Sequence, residues 1–246
     1  MKNVPRISYR FGDSWYITSF ITPDNPDILA VVDRFNLNNG DAFIEAIANY
    51  IRDEFQYPLI GDQPSCDGQI LRYAQGLFKH LYKSCKYYVW GWPAEVLQSH
   101  YGYCAETANL GTSILLNKIP QTVTVLGAVL DLNGQVLGYH AWCELPYNAE
   151  STVFETTIHT LGAHNLATAQ SVYDKNSDWA KQGGVFYEAL ARYNDTQFSG
   201  DTAIVSRMCL PAKYEATWHM SQKKLARKYY SEHTKMVKSI RQAWGA

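Results

Sequence analysis

Three side chains of this sequence belong to the types that together can break an amide bond. Cys104 lies in the segment 102–106 (Gly-Tyr-Cys-Ala-Glu), and His140 and Glu155 follow in two strand-like segments. A cysteine thiolate is a strong nucleophile, a histidine can accept and return a proton, and a carboxylate can orient the imidazole ring. The order of the three residues predicts a thiol enzyme in which Cys104 attacks the substrate.

Cys104 stands at the predicted start of a helix. Residues at about helical spacing follow it and supply an apolar side: Thr107, Leu110, Ile114, Leu115 and Leu116. The first turn of a helix has unpaired backbone N–H groups and the positive end of the helix dipole, which stabilise a thiolate. Glu106 is a negative charge nearby and opposes that effect, so the cationic form of His140 must outweigh it.

Two predicted strands bring the histidine and the glutamate together. Three segments are rich in β-branched and apolar residues and predict strands: 122–130, 135–145 and 152–156. Asn133 and Gly134 between the first two are typical of a tight hairpin turn. Alternation places His140 and Trp142 on one face of the second strand. Facing residues on antiparallel strands lie about 5 Å apart at Cβ, so His140 and Glu155 can touch if the register agrees.

Helices are predicted elsewhere from capping residues and from the spacing of apolar side chains. They cover residues 27–35, 42–55, 70–82, 94–98, 185–193 and 211–246, with Asp27 and Asp41 as the predicted caps of the first two. A short strand or packed loop is predicted at 87–90, and one or two short strands between 6 and 22. The basic residues of the last helix lie mostly away from its apolar stripe, which is typical of a solvated face.

The composition limits the classes of protein to which the chain can belong. Its 246 residues are 46% hydrophobic and carry a formal net charge of -1, which is typical of a folded globular protein. A charge so near zero argues against bulk binding to nucleic acid or to an anionic membrane. No apolar run reaches the ~20 residues of a membrane helix, and no signal peptide is visible, so a cytoplasmic protein is expected.

The cysteines predict neither a metal site nor a disulfide framework. There are five, scattered along the chain, and none forms a C-x-x-C pair. Reduced thiols are the expectation, with a bridge between Cys66 and Cys85 as the open alternative. The other histidines have no ligand spacing, so no metal is predicted, and nothing in the sequence indicates the oligomeric state.

Four motifs, in order along the chain, resemble the core of the transglutaminase-like superfamily of papain-like thiol enzymes. That family has Gly-x-Cys-x-acidic, then Ile-Pro, then His-Ala-Trp, then a hydrophobic residue followed by Asp-x-Thr. The corresponding residues here are 102–106, Ile119-Pro120, His140-Ala141-Trp142 and Phe154-Glu155-Thr156-Thr157. The resemblance covers roughly Asp41 to Thr157. Glu155 departs from the pattern, because the family usually has Asp at that position.

The resemblance implies an α+β fold, a papain-like or transglutaminase-like core with the nucleophile helix packed on an antiparallel sheet and a helical C-terminal extension. The division it implies is an N-terminal arm (1–40), the catalytic core (41–160) and an extension (161–246) ending in a long helix, together forming one compact unit.

The resemblance also implies a role for each candidate residue. Cys104 is the nucleophile, His140 the base and later the acid, and Glu155 orients the imidazole. Gln98 stands six residues before Cys104, where papain-like enzymes often have a Gln that stabilises the oxyanion. Trp92 and Trp142 are expected at the substrate cleft. The alternatives are that Glu155 pairs with a lysine, that Gln98 is an ordinary surface residue, and that both tryptophans pack in the core.

The activity implied is acyl transfer through a thioester, without a metal or organic cofactor, on a protein or peptide-like substrate. Hydrolysis is favoured over cross-linking of glutamine side chains, because the resemblance covers the catalytic core alone. A catalytically inactive binding module is the alternative from another class. A peptide N-glycanase-like amidase would share the triad, but such enzymes usually carry paired-cysteine zinc motifs, which this sequence lacks.

Overall fold

The computed structural model describes residues 4–8, 14–55, 90–100, 102, 104–157 and 165–208. The predicted helices at 70–82 and 211–246 lie outside these residues, as does nearly all of the segment 87–90. Within the described residues, no helix has both the length and the apolar character needed to traverse a bilayer.

An antiparallel sheet of six strands is the central element of the described structure. Its strands are β3 (Val123–Asp131), β4 (Val136–Tyr147), β5 (Glu150–Phe154), β6 (Leu166–Thr168), β7 (Val185–Tyr193) and β8 (Phe198–Gly200). Their order across the sheet is β6-β5-β4-β3-β7-β8. Nearer the N-terminus, β1 (Arg6–Ser8) pairs with β2 (Ser14–Tyr16), and a short 3-10 helix (Ile17–Phe20) follows.

Helices cover both faces of this sheet. They are α1 (Pro26–Arg34), α2 (Gly40–Glu54), α3 (Pro93–Ser99), α4 (Cys104–Leu115), α5 (Ala169–Tyr173), α6 (Asp178–Gly183) and α7 (Ala203–Met208). The described residues therefore form a mixed α and β structure with helices and an antiparallel sheet, as the α+β prediction requires.

The first two helices begin two residues earlier than a cap at Asp27 or Asp41 would allow. The Asn25 side chain accepts a hydrogen bond from the Asp27 N–H at 2.9 Å, and the Asn39 side chain accepts one from the Ala42 N–H at 3.1 Å. The predicted caps were therefore wrong, although both helices are present. An aspartate in the first turn instead stabilises the helix through its dipole.

Helix α4 is the element on which the others pack. All twelve of its residues are buried, because it lies between the sheet on one side and α1, α2 and α3 on the others. A side chain of α4 such as Leu110 shares one apolar cluster with Ile47 of α2 and Ala141 of β4. The opposite face of the sheet has its own cluster, which includes Val125, Trp142 and Tyr187. A helix with no solvated face can hold Cys104 in a fixed position.

The segment 185–193 was predicted to be a helix and is strand β7. It pairs antiparallel with β3, with Leu126 opposite Ala191 and Val129 opposite Tyr187. The apolar and aromatic residues of this segment suit either a short helix or a strand. Pairing with β3, which is far away in sequence, decides between them, and Gly184 with φ +68° ends α6 just before β7 begins.

Gly127 lies where β3, β4 and β7 meet, and we expect its replacement to destabilise the fold. A Cβ atom there would overlap the carbonyl oxygen of Glu188 and the indole ring of Trp142. Gly127→Ala should lower the free energy of unfolding by about 3 kcal/mol, because the neighbouring backbone cannot move aside. Urea unfolding measures this loss.

Gly134→Ala at the β3–β4 turn is the matched control. Gly134 has φ +83° and no atom within 4 Å of an added Cβ, so its substitution costs only the backbone strain, about 1 kcal/mol. Equal losses for the two variants would contradict the overlap at Gly127.

Candidate active site

Cys104 is the first residue of α4 and is 2% exposed. The chain enters the helix through Gly102, where a Cβ would lie 2.8 Å from the methyl group of Thr107. A glycine is therefore needed for the close approach of the preceding chain to the first turn. The position of Cys104 at a helix N-terminus agrees with the sequence prediction.

His140 and Glu155 form a buried pair. The His140 Nε2 and Glu155 Oε2 atoms are 2.8 Å apart, and both side chains are 0% exposed. In the register of β4 and β5, Cys143 faces Phe154 and Glu155 follows the last paired residue. Continuing this register would set Glu155 opposite Trp142, so it reaches His140 along a diagonal. The additional methylene of glutamate relative to aspartate suits this longer distance.

Two donors besides His140 Nε2 hold the Glu155 carboxylate in place. The Thr157 N–H donates to Oε1 at 2.9 Å, and the Tyr187 hydroxyl donates to Oε2 at 3.1 Å, beside His140. Neither Tyr187 nor the Thr157 backbone was predicted from the sequence to belong to the site. The alternation of inward-facing residues in a strand at 185–193 would have indicated Tyr187, but that segment was predicted to be helical.

The second nitrogen of His140 is the one left for an interaction with the cysteine. Nδ1 is buried and has no fully formed hydrogen bond to any described residue, yet the Cys104 sulfur is close enough to act on the ring as a hydrogen-bond partner. Because Nε2 lies against the carboxylate, the neutral ring would present its lone pair at Nδ1 to Cys104. This is the orientation that a base for Cys104 requires.

The environment of His140 favours its charged form. Burial lowers the pKa of His140, but the Glu155 carboxylate and the Cys104 sulfur outweigh burial and raise that pKa to about 10. The imidazole therefore carries a positive charge at neutral pH. A cation beside Cys104 is the condition under which a thiolate is stabilised inside a protein.

A cluster of threonines joins the cysteine helix to the glutamate. The Thr107 hydroxyl lies 3.0 Å from that of Thr156 and 3.2 Å from that of Thr157, and it donates to the Cys104 carbonyl at 3.3 Å. The first turn of α4 is thus tied to the loop that carries Glu155. The threonines that end the last sequence motif have this structural role.

Gln98 is exposed on α3. Among the hydrogen bonds of the described residues, none joins its side chain to Cys104, so its contribution to an oxyanion site stays a prediction. Pro93 begins α3, and the Trp92 N–H donates to the Glu95 carboxylate at 2.9 Å. This contact caps the N-terminus of α3.

Trp92 belongs to an aromatic surface next to the start of α4. Its ring stacks on Phe20 with centroids 4.6 Å apart, and the exposed Trp15 meets it edge-on at 5.6 Å. The preceding Gly91 N–H donates to the buried carboxylate of Glu106 at 2.6 Å. Glu106 therefore holds this aromatic segment against α4. Contact between Trp92 and a substrate stays a prediction.

Trp142 does not face solvent. It is 0% exposed, its ring lies 4.9 Å from that of Tyr187, and its Nε1 donates to the Tyr173 hydroxyl at 2.9 Å. The predicted contact between Trp142 and substrate is therefore corrected: the side chain packs in the interior because β4 turns it towards the second apolar cluster.

Cys143 is the other cysteine among the described residues. It lies on the α4 side of the sheet, where burial raises the pKa of its thiol to about 12 and its Sγ donates to the Ala108 carbonyl at 3.2 Å. A thiol in this environment stays protonated and unreactive. In the described part of the chain, no three His, Cys, Asp or Glu residues are grouped as metal ligands.

Comparisons with known proteins add nothing to this description. No family model matches the chain, and no curated protein matches it significantly. Membership of the transglutaminase-like superfamily therefore stays a prediction.

Proposed function

We propose that this protein is a thiol-dependent acyl-transfer enzyme, a cysteine peptidase or amidase with Cys104 as its nucleophile and a papain-like core. The single observation that carries the proposal is the buried His140, which binds Glu155 through Nε2 and directs Nδ1 towards Cys104 at a helix N-terminus. The natural substrate is an amide or isopeptide bond in a protein or peptide.

Acylation begins from a thiolate and an imidazolium. The Cys104 sulfur attacks the carbonyl carbon, so that a C–S bond forms and negative charge collects on the carbonyl oxygen. His140 then gives the proton on Nδ1 to the leaving nitrogen, the C–N bond breaks, and an acyl thioester remains on Cys104. Throughout this step Glu155 keeps the ring in place by accepting from Nε2.

Deacylation runs the same transfers with water. His140, now neutral, takes a proton from a water molecule whose oxygen attacks the thioester carbon. The C–S bond breaks, the acid leaves, and the thiolate and imidazolium are restored. Unpaired N–H groups in the first turn of α4 are suited to the oxyanion in both steps, with Gln98 as an additional donor.

We propose hydrolysis rather than cross-linking as the reaction, and an active enzyme rather than an inactive binding module. A binding module has no need of a buried histidine held charged between a carboxylate and a thiol, since burying charge is costly. The described cysteines, Cys104 and Cys143, are both free thiols, which suits a reducing compartment such as the cytoplasm. Residues 166–200 of the predicted extension supply β6, β7 and β8 to the same sheet, so we assign this part of the chain to the core that supports the site rather than to a separate unit.

The test is the rate at which iodoacetamide alkylates each cysteine at pH 6, followed by mass spectrometry of the peptides. Cys104 should react at least about tenfold faster than a free cysteine, because the His140 cation stabilises its thiolate. The reagent is small enough for a nearly buried site. Cys143 serves as the internal control and should stay unmodified in the folded protein.

The variant His140→Ala distinguishes activation of the Cys104 thiol by His140 from entry of the reagent to Cys104. The substitution opens space beside Cys104, so a rate limited by access would increase. A decrease in the alkylation rate at pH 6 supports the proposed ion pair. A Cys104 that reacts no faster than a free cysteine, and no slower in His140→Ala, would contradict the proposed function and favour a binding module.

A further inference from the structure

Tyr187 is buried beside the candidate triad on a strand that supplies none of its members. Tyr187 is 1% exposed, and its hydroxyl donates to Glu155 Oε2 at 3.1 Å. The rings of Tyr187 and His140 pack edge to face, with their centroids 5.8 Å apart and their planes at 83°. One side chain thus touches both the carboxylate and the imidazole.

The contact is needed because Glu155 has more freedom than an aspartate would have. Glu155 follows the last paired residue of β5, and its side chain has an additional rotatable bond. The Thr157 N–H holds Oε1, and a carboxylate that pivoted about that atom would withdraw Oε2 from His140. The Tyr187 hydroxyl reaches Oε2 from β7, which β4 and β3 separate from β5 in the sheet, and opposes this motion.

The packing around Tyr187 leaves its ring one position. Trp142 lies 4.9 Å from it, and Trp179 of α6 meets it edge-on at 5.6 Å. Trp142 is in turn held by Tyr173, whose hydroxyl donates to Glu144 at 2.7 Å, and Arg192 donates to the same carboxylate at 2.9 Å. The ring that positions Glu155 is therefore itself anchored.

The Tyr187 hydroxyl is a donor at every working pH. Burial and the neighbouring Glu155 carboxylate raise the pKa of Tyr187 well above its usual range, so the phenol keeps its proton. A neutral donor stabilises the carboxylate without giving it a counter-charge that would compete with the imidazolium.

We infer that Tyr187 is a positioning residue of this site, which holds the Glu155 carboxylate against His140 and so keeps the imidazole charged and directed at Cys104. This inference rests on the proposed function for its catalytic consequence, although the position of the imidazole can be measured without any substrate.

The experiment compares Tyr187→Phe with Tyr193→Phe. Tyr193 is the matched control, because it is on the same strand, 0% exposed, and donates its hydroxyl to the buried Asn109 side chain at 2.6 Å, away from His140. The pKa of His140 is measured by NMR with labelled histidine in the unmodified protein and both variants. The Cys104 alkylation rate at pH 8 and unfolding by urea are measured in parallel.

Tyr187→Phe should lower the pKa of His140 by about one unit, while Tyr193→Phe leaves it unchanged. Because a histidine with a pKa of about 9 is still mostly protonated at pH 8, the alkylation rate at that pH should change less than about twofold in both variants. Both variants should lose similar stability, since each loses one buried hydroxyl contact. p-Aminophenylalanine at position 187 keeps the ring and an N–H donor, and should restore the pKa of His140.

The inference is overturned if the pKa of His140 is unchanged or higher in Tyr187→Phe, or changes equally in Tyr193→Phe. Failure of the proposed function would look different, because the pKa of His140 would still respond to Tyr187 while Cys104 in the unmodified protein reacted like a free cysteine.

Discussion

Cys104→Ser should lower the rate of amide hydrolysis at least about a thousandfold. A serine hydroxyl must lose its proton to a base before it can attack, whereas a cysteine thiolate is ready to attack. With its pKa raised to about 10, His140 already carries a proton at neutral pH and cannot take another one from serine. The exchange of one atom therefore removes both the nucleophile and the partner that the imidazolium stabilises.

Hydrolysis of a panel of fluorogenic peptide amides and of labelled casein is the measurement for this prediction. Cys143→Ser is the control, because that thiol is also buried against α4 but lies outside the triad and stays protonated. Cys143→Ser should retain turnover when it is assayed at a temperature at which both it and the unmodified protein are fully folded. Turnover by Cys104→Ser within about tenfold of the unmodified enzyme would be incompatible with a nucleophilic Cys104.

Glu155→Gln should reduce activity at pH 8 between about 10²- and 10⁴-fold. Burial alone lowers the pKa of His140, and the Glu155 carboxylate is the main group that raises it to about 10. Without that negative charge the imidazole loses its proton at a much lower pH. The alkaline limit of turnover, which requires the imidazolium as the acid, should therefore move from about 10 towards neutral pH.

The same substitution should alter the dependence of stability on pH. The folded protein holds the His140 proton more tightly than the unfolded chain, whose histidine has its usual pKa of 6.5. The resulting stabilisation is fully present below pH 6.5 and is lost as pH rises through about 10. Glu155→Gln should remove this contribution, so that its free energy of unfolding falls less than that of the unmodified protein between pH 7 and pH 10.

Glu144→Gln is the control for Glu155→Gln, because it also removes one negative charge from the region of the sheet. Glu144 accepts hydrogen bonds from Tyr173 and Arg192 but does not touch His140. Its replacement should lower stability without moving the alkaline limit. If both glutamate variants shifted that limit equally, Glu155 would have no special relation to His140.

The sequence by itself determined several of the local elements and the candidate residues of the site. The apolar spacing of α1 and α2 and the Asn-Gly turn between β3 and β4 are local signals, and the structure contains all three elements, although the capping residues are Asn25 and Asn39 rather than the predicted aspartates. Cys104 at a helix start and His140 on a strand could be predicted for the same reason. Each depends on residues within one or two turns along the chain.

The tertiary structure decided the contacts that link distant segments. Whether 185–193 formed a helix or a strand depended on pairing with β3, about sixty residues earlier, and that pairing brought Tyr187 to Glu155. The reach of Glu155 along a diagonal likewise followed from the register of β4 and β5. Strand partners and registers depend on long-range packing, which local propensity does not encode. The charge of His140 was decided at the same level, since it results from burial together with a carboxylate and a thiol that the fold brings to opposite sides of the ring.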